Sequence, residues 1–393
     1  MKSEELGERM QDGKPVCDWR GCGSRNITAS LNSCRLSAEC CRPLTSALSS
    51  SSDLKELDLS YNHLMDQGAE LLSDWLRKPQ CRLKTLRLAH CQFTERGCAA
   101  LGSSLKSNPA HLRVLDLTGN DLTDGGVTKL CEFLAEPRCG LETLSLNSCR
   151  LSAECCRPLT SALSSSSDLK ELDLSWNYLM DQGAELLSDW LRKPQCRLKT
   201  LRLTHCEFTE RGCAALGSSL KSNPAHLRVL DLTGNDLRDG GVTKLCEFLA
   251  EPRCGLETLS LNSCRLSAGC CRPLTSALSS SSDFKELDLR GNYLMDQGAE
   301  LLYDWLRKPQ CRLETLRLSY CTESSCEYLA SALKSNPSHL RVLELSRSHP
   351  GERGLKLLTD LQKNKSNRLE TLRVNRQIKD TGSFSSFGPD QMS

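Results

Sequence analysis

The chain has 393 residues, enough for two or three ordinary domains or for one extended array. Hydrophobic residues make up 38% and aromatics only 5%, and the apolar content is dominated by leucine, so a core must reuse one aliphatic side chain. With 51 basic and 49 acidic residues the net charge is +2, which lacks the basic excess expected of a dedicated nucleic-acid binder or a protein held on anionic membranes.

Residues 1–25, MKSEELGERMQDGKPVCDWRGCGSR, contain no apolar stretch that would serve as a signal peptide, and no later run reaches the length of a membrane span. This stretch reads as a poorly ordered N-terminal segment. Cys17 and Cys22 fall within it and have no two further clustered ligands to make a zinc site. The chain carries 24 cysteines. In a long chain without a leader they are expected to be reduced thiols, the compartment cytoplasmic, and the sequon Asn26-Ile27-Thr28 unmodified.

From Asn26 onward the sequence repeats itself. A degenerate copy at Asn26, with Ala29 where leucine is expected, precedes full copies that start at Leu54, Leu83, Leu112, Leu141, Leu169, Leu198, Leu227, Leu256, Phe284, Leu313 and Leu340. A partial copy follows at Leu369. The spacing is 29 or 28 residues until the copy at Leu313, which is two residues short after Cys321. The pattern is LxxLxLxx(N/C)xL. In the first full copy Leu57 and Leu59 alternate as in a half-buried strand. Leu64 follows a turn, and Ala69, Leu71, Leu72 and Leu76 then recur at helical spacing, with Gly68 at the helix entry and Pro79 past its end. One strand and one helix cannot bury an apolar face alone, but stacked copies can. The expected fold is an α/β solenoid over residues 26–377, a horseshoe with a parallel sheet on its concave face and helices on its convex face. Residues 378–393 read as a disordered polar tail.

The ninth position alternates strictly between Asn62, Cys91, Asn120, Cys149, Asn177, Cys206, Asn235, Cys264, Asn292 and Cys321. A buried Asn amide there can satisfy loop backbone groups, and Cys is a compact apolar substitute with a weak donor. This alternation, with segments such as LLSDWLRKPQCRLKTLRL and LCEFLAEPRCGLETLSL, resembles the ribonuclease-inhibitor-like class of leucine-rich repeats. The class includes ribonuclease inhibitor and the C-terminal arrays of NACHT-LRR (NLR) innate immune receptors. The likeness covers roughly residues 26–374 and is nearest to the NLR arrays. It implies a non-enzymatic protein-recognition module acting in innate immune sensing or regulation. The alternative it leaves open is a stoichiometric enzyme inhibitor of the ribonuclease-inhibitor kind. The phosphate loop of a NACHT ATPase is missing, so the expectation is a stand-alone or truncated array.

Enzyme signatures do not appear: there is no GxxxxGK[ST], GxGxxG after a strand, HExxH or GxSxG. No cofactor is expected. His111, His226 and His339 recur at one repeat position, which reflects register. The vicinal pairs Cys40-Cys41, Cys155-Cys156 and Cys270-Cys271 lie where a helix is expected. Adjacent helical residues point about 100° apart, so the pairs suit core filling better than one tetrahedral metal. Trp75, Trp190 and Trp305 share a helix position and read as packing residues, partly showing on the outer face beside Tyr303.

The fifth position faces the concave surface and reads Asp58, Arg87, Asp116, Ser145, Asp173, Arg202, Asp231, Ser260, Asp288, Arg317, Glu344, Arg373. Opposite charges on neighbouring strands predict a self-neutralising ladder. The same row is also a polar face that a partner would have to match. It is not the acidic face a cationic ribonuclease would favour.

Residues 54–168 and 169–283 superpose without gaps and differ only at Tyr61/Trp176, His63/Tyr178, Ala89/Thr204, Gln92/Glu207, Thr123/Arg238 and Glu154/Gly269. All six fall at repeat positions seven to fourteen, the strand end and the loop after it, where a rigid frame usually carries its binding residues. The third copy brings Arg290, Gly291 and Tyr293 to the same rim. The expected partner is therefore a protein on the concave face or strand-end rim, with neither nucleic acid nor membrane. The candidate contact residues are Tyr61, His63, His90, Trp176, Tyr178, His205, Arg238, Arg290, Tyr293 and Tyr320, because aromatic and Arg side chains anchor interfaces.

Overall fold

A computed structural model describes residues 9–11, 14–16, 27–49, 54–165, 168–279, 281 and 283–376. Cys17, Cys22, Asn26 and the tail 378–393 lie outside these residues, as does most of the segment 1–25. The chain divides into two units, residues 1–230 and 231–393.

In the first unit a short antiparallel pair, β1 (Arg9–Gln11) and β2 (Lys14–Val16), precedes the array. Strand and helix then alternate as the repeat predicts: β3 (Ile27–Ser30), α1 (Ala38–Ser49), β4 (Leu54–Asp58), α2 (Met65–Leu76), β5 (Thr85–Arg87), α3 (Glu95–Ser107), β6 (Val114–Asp116), α4 (Thr123–Leu134) and β7 (Thr143–Ser145). The 3-10 turn Ala153–Cys155 leads into α5 (Cys156–Ser165), followed by β8 (Glu171–Asp173), α6 (Met180–Leu191), β9 (Thr200–Arg202), α7 (Glu210–Ser222) and β10 (Val229–Asp231), which holds the boundary between the units. Strands β3 to β9 pair in sequence, each parallel to the next. The weak first copy forms a strand despite Ala29, with a register irregularity between Ile27 and Thr28.

The second unit continues with α8 (Arg238–Leu249), β11 (Thr258–Ser260), the 3-10 turn Ala268–Cys270, α9 (Cys271–Leu278), β12 (Glu286–Asp288), α10 (Met295–Leu306), β13 (Thr315–Ser319), α11 (Glu323–Ser335), β14 (Val342–Ser348), α12 (Gly351–Lys363) and β15 (Thr371–Arg376). Strands β11 to β15 are again successive parallel neighbours. Where the copy at Leu313 is short, β13 and β14 lengthen to five and seven residues. The fold is a leucine-rich repeat solenoid.

Register explains the core. The fourth-position leucines Leu57, Leu86, Leu115, Leu144, Leu172 and Leu201 lie directly opposite one another, and all are fully buried. Each contributes about 1.5–3 kcal/mol by leaving water. Helix α2 lays Ala69, Leu72, Trp75 and Leu76 against this layer. Gly68 is glycine because a Cβ there would come within 2.7 Å of Leu64 Cβ. Trp75, Trp190 and Trp305 are packing residues as expected, but none shows on the outer face: all are buried. Cys155 and Cys156 are both fully buried with their sulfurs 4.0 Å apart, filling core space.

The Asn/Cys alternation is one hydrogen-bonding unit spread over two copies. Asn177 Nδ2 donates to the carbonyls of Leu146, Leu174 and Ser175, while its Oδ1 accepts from the amides of Cys149 and Leu151 in the copy before. The thiol of Cys206 donates to the Leu174 carbonyl. Asn120 and Cys149 repeat this around Leu117. An Asn in one copy thus satisfies the loop of its predecessor, so the next copy needs only a small weak donor.

A candidate protein-recognition rim at the strand ends

Position eight of every full copy has a left-handed backbone: Tyr61 φ 58°, His90 φ 52°, Gly119 φ 69°, Ser148 φ 55°, Trp176 φ 58°, His205 φ 50°, Gly234 φ 73°, Ser263 φ 54°, Gly291 φ 66°, Tyr320 φ 57° and Arg347 φ 49°. The amide of this residue bonds to the next copy, as Tyr61 N does to the Ala89 carbonyl (2.7 Å) and Trp176 N to the Thr204 carbonyl (2.7 Å). The chain must turn off the sheet while keeping that bond. Glycine is the natural occupant, and any other residue costs on the order of 1 kcal/mol.

That turn sends large side chains outward, where they stack. Tyr61 and His90 have ring centroids 4.7 Å apart at 20°. Trp176 and His205 are 3.9 Å apart at 25°. In the second unit Tyr293 and Tyr320 are 5.1 Å apart at 7°. Gly119 lets His90 lie flat, since a Cβ there would meet the imidazole within 2.2 Å. His63 Nδ1 lies 2.9 Å from Gln92 Nε2. Tyr61, Trp176, Tyr178 and Tyr293 are 56%, 55%, 63% and 63% exposed, values that large apolar side chains tolerate at a surface but do not reach in a core.

The ten residues singled out from sequence separate into groups. Tyr61 with His90, Trp176 with His205, Tyr293 with Tyr320, and His63 with its partner Gln92 are brought together. Tyr178 stands exposed beside Trp176. Arg238 is exposed and pairs with Asp236 at 3.1 Å. Arg290 turns back instead: it pairs with Asp288 at 2.6 Å and with Glu344 at 3.5 Å, and is half-buried. Three residues were missed. Met65, Met180 and Met295 are 57%, 55% and 54% exposed at position twelve, with φ 52°, 51° and 54°. The sequence signal was an unexplained methionine where the Cys copies carry the Thr or Ser that caps a helix; the handedness was not readable.

The fifth-position ladder needs correction. Asp58, Asp116 and Asp173 do not reach for the neighbouring strand. Each accepts from the backbone amide two residues on, at 2.9, 3.0 and 2.9 Å. A short Asp side chain is captured by the nearest amide as the strand turns. Arg202 pairs diagonally with Glu171 at 3.8 Å. The expected ladder forms around Glu344, whose longer side chain meets Arg317 at 3.3 Å and Arg373 at 2.8 Å.

Among the described residues no group of three or more His, Cys, Asp or Glu side chains could hold a metal ion. No helix among them is long and apolar enough to cross a membrane. Burial raises the thiols: Cys91, Cys131, Cys149, Cys246 and Cys264 are pushed up to about 12.

The Leucine Rich repeat family matches residues 50–73, 108–131, 165–188 and 223–246, each spanning a strand, its Asn turn and part of the following helix. Ribonuclease inhibitor of Sus scrofa is 40% identical over 330 residues, covering 84% of this chain and 72% of its own length. The chain belongs to the ribonuclease-inhibitor-like leucine-rich repeat family. Ribonuclease inhibitor of Mus musculus is 38% identical over 345 residues, with 87% of this chain and 75% of its own length covered. NACHT, LRR and PYD domains-containing protein 12 of Mus musculus is 39% identical over 359 residues, covering 86% of this chain but 34% of that protein. This array therefore spans most of the inhibitors and about a third of that NACHT-containing relative.

Proposed function

We propose that this array is a non-enzymatic recognition module that captures a protein partner at its strand-end rim, in the manner of an NLR-type array in cytoplasmic innate immune sensing or regulation. The observation that carries the reading is the set of exposed large side chains on the strand-end rim of the first unit, Tyr61, Met65, Trp176 and Met180 at left-handed positions where glycine would cost less, with Tyr178 exposed among them. Aromatic side chains bury much area at little entropic cost, and both aromatic and methionine side chains are enriched at protein interfaces.

A second reading is stoichiometric inhibition of a ribonuclease. It is favoured by the 72% coverage of the porcine inhibitor. The mixed charge of the sheet face, with Arg317 and Arg373 gathered on Glu344, speaks against a cationic target.

The test has two arms. Affinity capture from cell extract compares the native chain with Trp176→Ala/Tyr178→Ala/Met180→Ala and with a helix-face control, Arg96→Ala/Arg211→Ala. The rim reading requires capture to fall at least tenfold with the first variant only, with a loss of stability of no more than about 1.5 kcal/mol from the broken stack. Titration of a ribonuclease with a fluorescent RNA substrate tests the second reading, which demands a one-to-one end point.

A further inference from the structure

Four of the six differences between residues 54–168 and 169–283 fall on one patch. In the first copy they are Tyr61, His63, Ala89 and Gln92, and in the second Trp176, Tyr178, Thr204 and Glu207. These positions are neighbours in space. Tyr61 bonds to Ala89 through the backbone, and His63 touches Gln92 through the side chain. The backbone is the same in both copies: φ is 58° at Tyr61 and Trp176, and 62° and 59° at Gln92 and Glu207. The helices beneath are identical in sequence up to Leu134 and Leu249, apart from Thr123/Arg238. The scaffold is held constant while four adjoining side chains change, three of them exposed and one, Ala89, buried.

The change has a chemical direction. Tyr to Trp and His to Tyr add aromatic area. Gln to Glu adds a negative charge, and the loss of His63 removes a group that can carry a positive one. In the first copy His63 and Gln92 satisfy each other at 2.9 Å. In the second, Glu207 is exposed and makes no ion pair among the described residues. The cations of this region are committed elsewhere: Arg211 to Glu185 at 2.7 Å, Arg202 to Glu171 at 3.8 Å and Arg150 to Asp121 at 2.8 Å. An open carboxylate next to two exposed rings, one of them stiffened by the His205 imidazole stacked on it, fits a cationic planar group. A guanidinium lies flat on an indole face and still donates to a carboxylate, which a compact, strongly hydrated ammonium does less well.

We infer that Trp176, Tyr178 and Glu207 form a subsite for an arginine side chain of the protein partner, and that the duplicate patch at Tyr61, His63 and Gln92 does not. The inference rests on the rim reading above and gives its partner a chemistry: a segment presenting arginine, on a chain whose overall charge is nearly neutral.

The experiment uses the full chain with Trp19→Phe, so that Trp176 is the exposed indole while Trp75, Trp190 and Trp305 are buried. The probe is N-acetyl-Gly-Arg-Gly-amide, followed by tryptophan emission, against the same peptide with neutral citrulline. Saturable binding of the arginine peptide is expected, with the citrulline peptide at least fivefold weaker. Glu207→Gln should weaken the arginine peptide at least fivefold without moving the melting temperature, because Gln92 already occupies the equivalent backbone. Adding Tyr61→Trp, His63→Tyr, Ala89→Thr and Gln92→Glu to the Glu207→Gln chain should restore binding. Equal binding of the two peptides, or no effect of Glu207→Gln, overturns the inference. If Glu207→Gln changes nothing while Trp176→Ala/Tyr178→Ala/Met180→Ala loses partner capture, the rim reading stands and the arginine subsite falls. If the peptide results hold but capture survives that triple variant, the subsite stands and the rim is not the main interface.

Discussion

Trp176 and His205, 29 residues apart in sequence, stack with ring centroids 3.9 Å apart, the tightest of the three aromatic pairs along the rim. Both sit at position eight with positive φ, so their contact follows from two neighbouring turns of the same handedness. Trp176→Ala keeps a Cβ on the same backbone and loses mainly the stack, worth about 0.5–1.5 kcal/mol. Thermal unfolding should show a loss of no more than about 1.5 kcal/mol together with weakened partner capture. A loss of several kcal/mol would make Trp176 a core residue.

Gly119 tests the backbone argument. Its φ is 69°, and a Cβ would meet the His90 ring within 2.2 Å. Gly119→Ala should destabilise by about 1–2 kcal/mol, from left-handed strain and displaced stacking. The converse change, Met180→Gly at φ 51°, should be neutral or stabilising by up to about 1 kcal/mol while reducing capture. Urea denaturation of the two variants in parallel would separate them. If both lose stability, Met180 is held for the fold and not for its surface.

Asn177 serves five backbone groups from a fully buried amide. Asn177→Ala leaves donors and acceptors of two copies unpaired, each costing about 1–3 kcal/mol. A total loss of at least about 3 kcal/mol is expected by denaturant titration. Cys206→Ala removes one weak donor from the Leu174 carbonyl, which Asn177 also serves, and should cost clearly less.

The buried thiols make the array sensitive to alkali. Cys91, Cys131, Cys149, Cys246 and Cys264 are pushed up to about 12 by burial, from an ordinary value of 9.0. Between those values the unfolded chain has released the proton and the folded chain has not, so stability is complete below about pH 9 and falls as pH rises toward 12. Melting temperature followed from pH 7 to 11 should be flat and then drop with a multi-proton slope. At pH 8, alkylation without denaturant should reach Cys34 and Cys40, which are half-exposed, far faster than the buried thiols.

Asp181 binds one copy to the next. Its carboxylate accepts from Thr209 N at 2.8 Å, from Thr209 Oγ1 at 2.6 Å and from Gly212 N at 2.9 Å, at the entry of α7. Asp181→Ala should cost about 1–2 kcal/mol through the lost cap and the helix dipole. Hydrogen exchange should localise the loosening to the first turn of α7; uniform loosening across the unit would contradict this assignment.

The sequence by itself determined the period, the strand and helix within each period, the buried leucine face and the alternation of Asn62 with Cys91. Each is a local pattern that only stacked copies can bury, so the pattern dictates the fold. It also located the variable rim, because six substitutions in a duplicated 115-residue unit spared nearly all of the helices. Only the tertiary structure decided which neighbours those rim residues touch. The left-handed turn at position eight depends on a hydrogen bond to the next copy, and nothing within one copy of the sequence records that bond. The same turn stacks Tyr61 on His90, and a second left-handed residue, at position twelve, is the exposed Met65. Arg290 looked like a surface anchor, yet Asp288 two residues before it, at the end of β12, and Glu344 in β14 claim its guanidinium. Asp58 looked like half of a charge ladder, yet the amide of Ser60 lies closer than any neighbouring arginine. Repetition fixes which face a residue occupies, whereas register and φ fix which neighbour its side chain can reach.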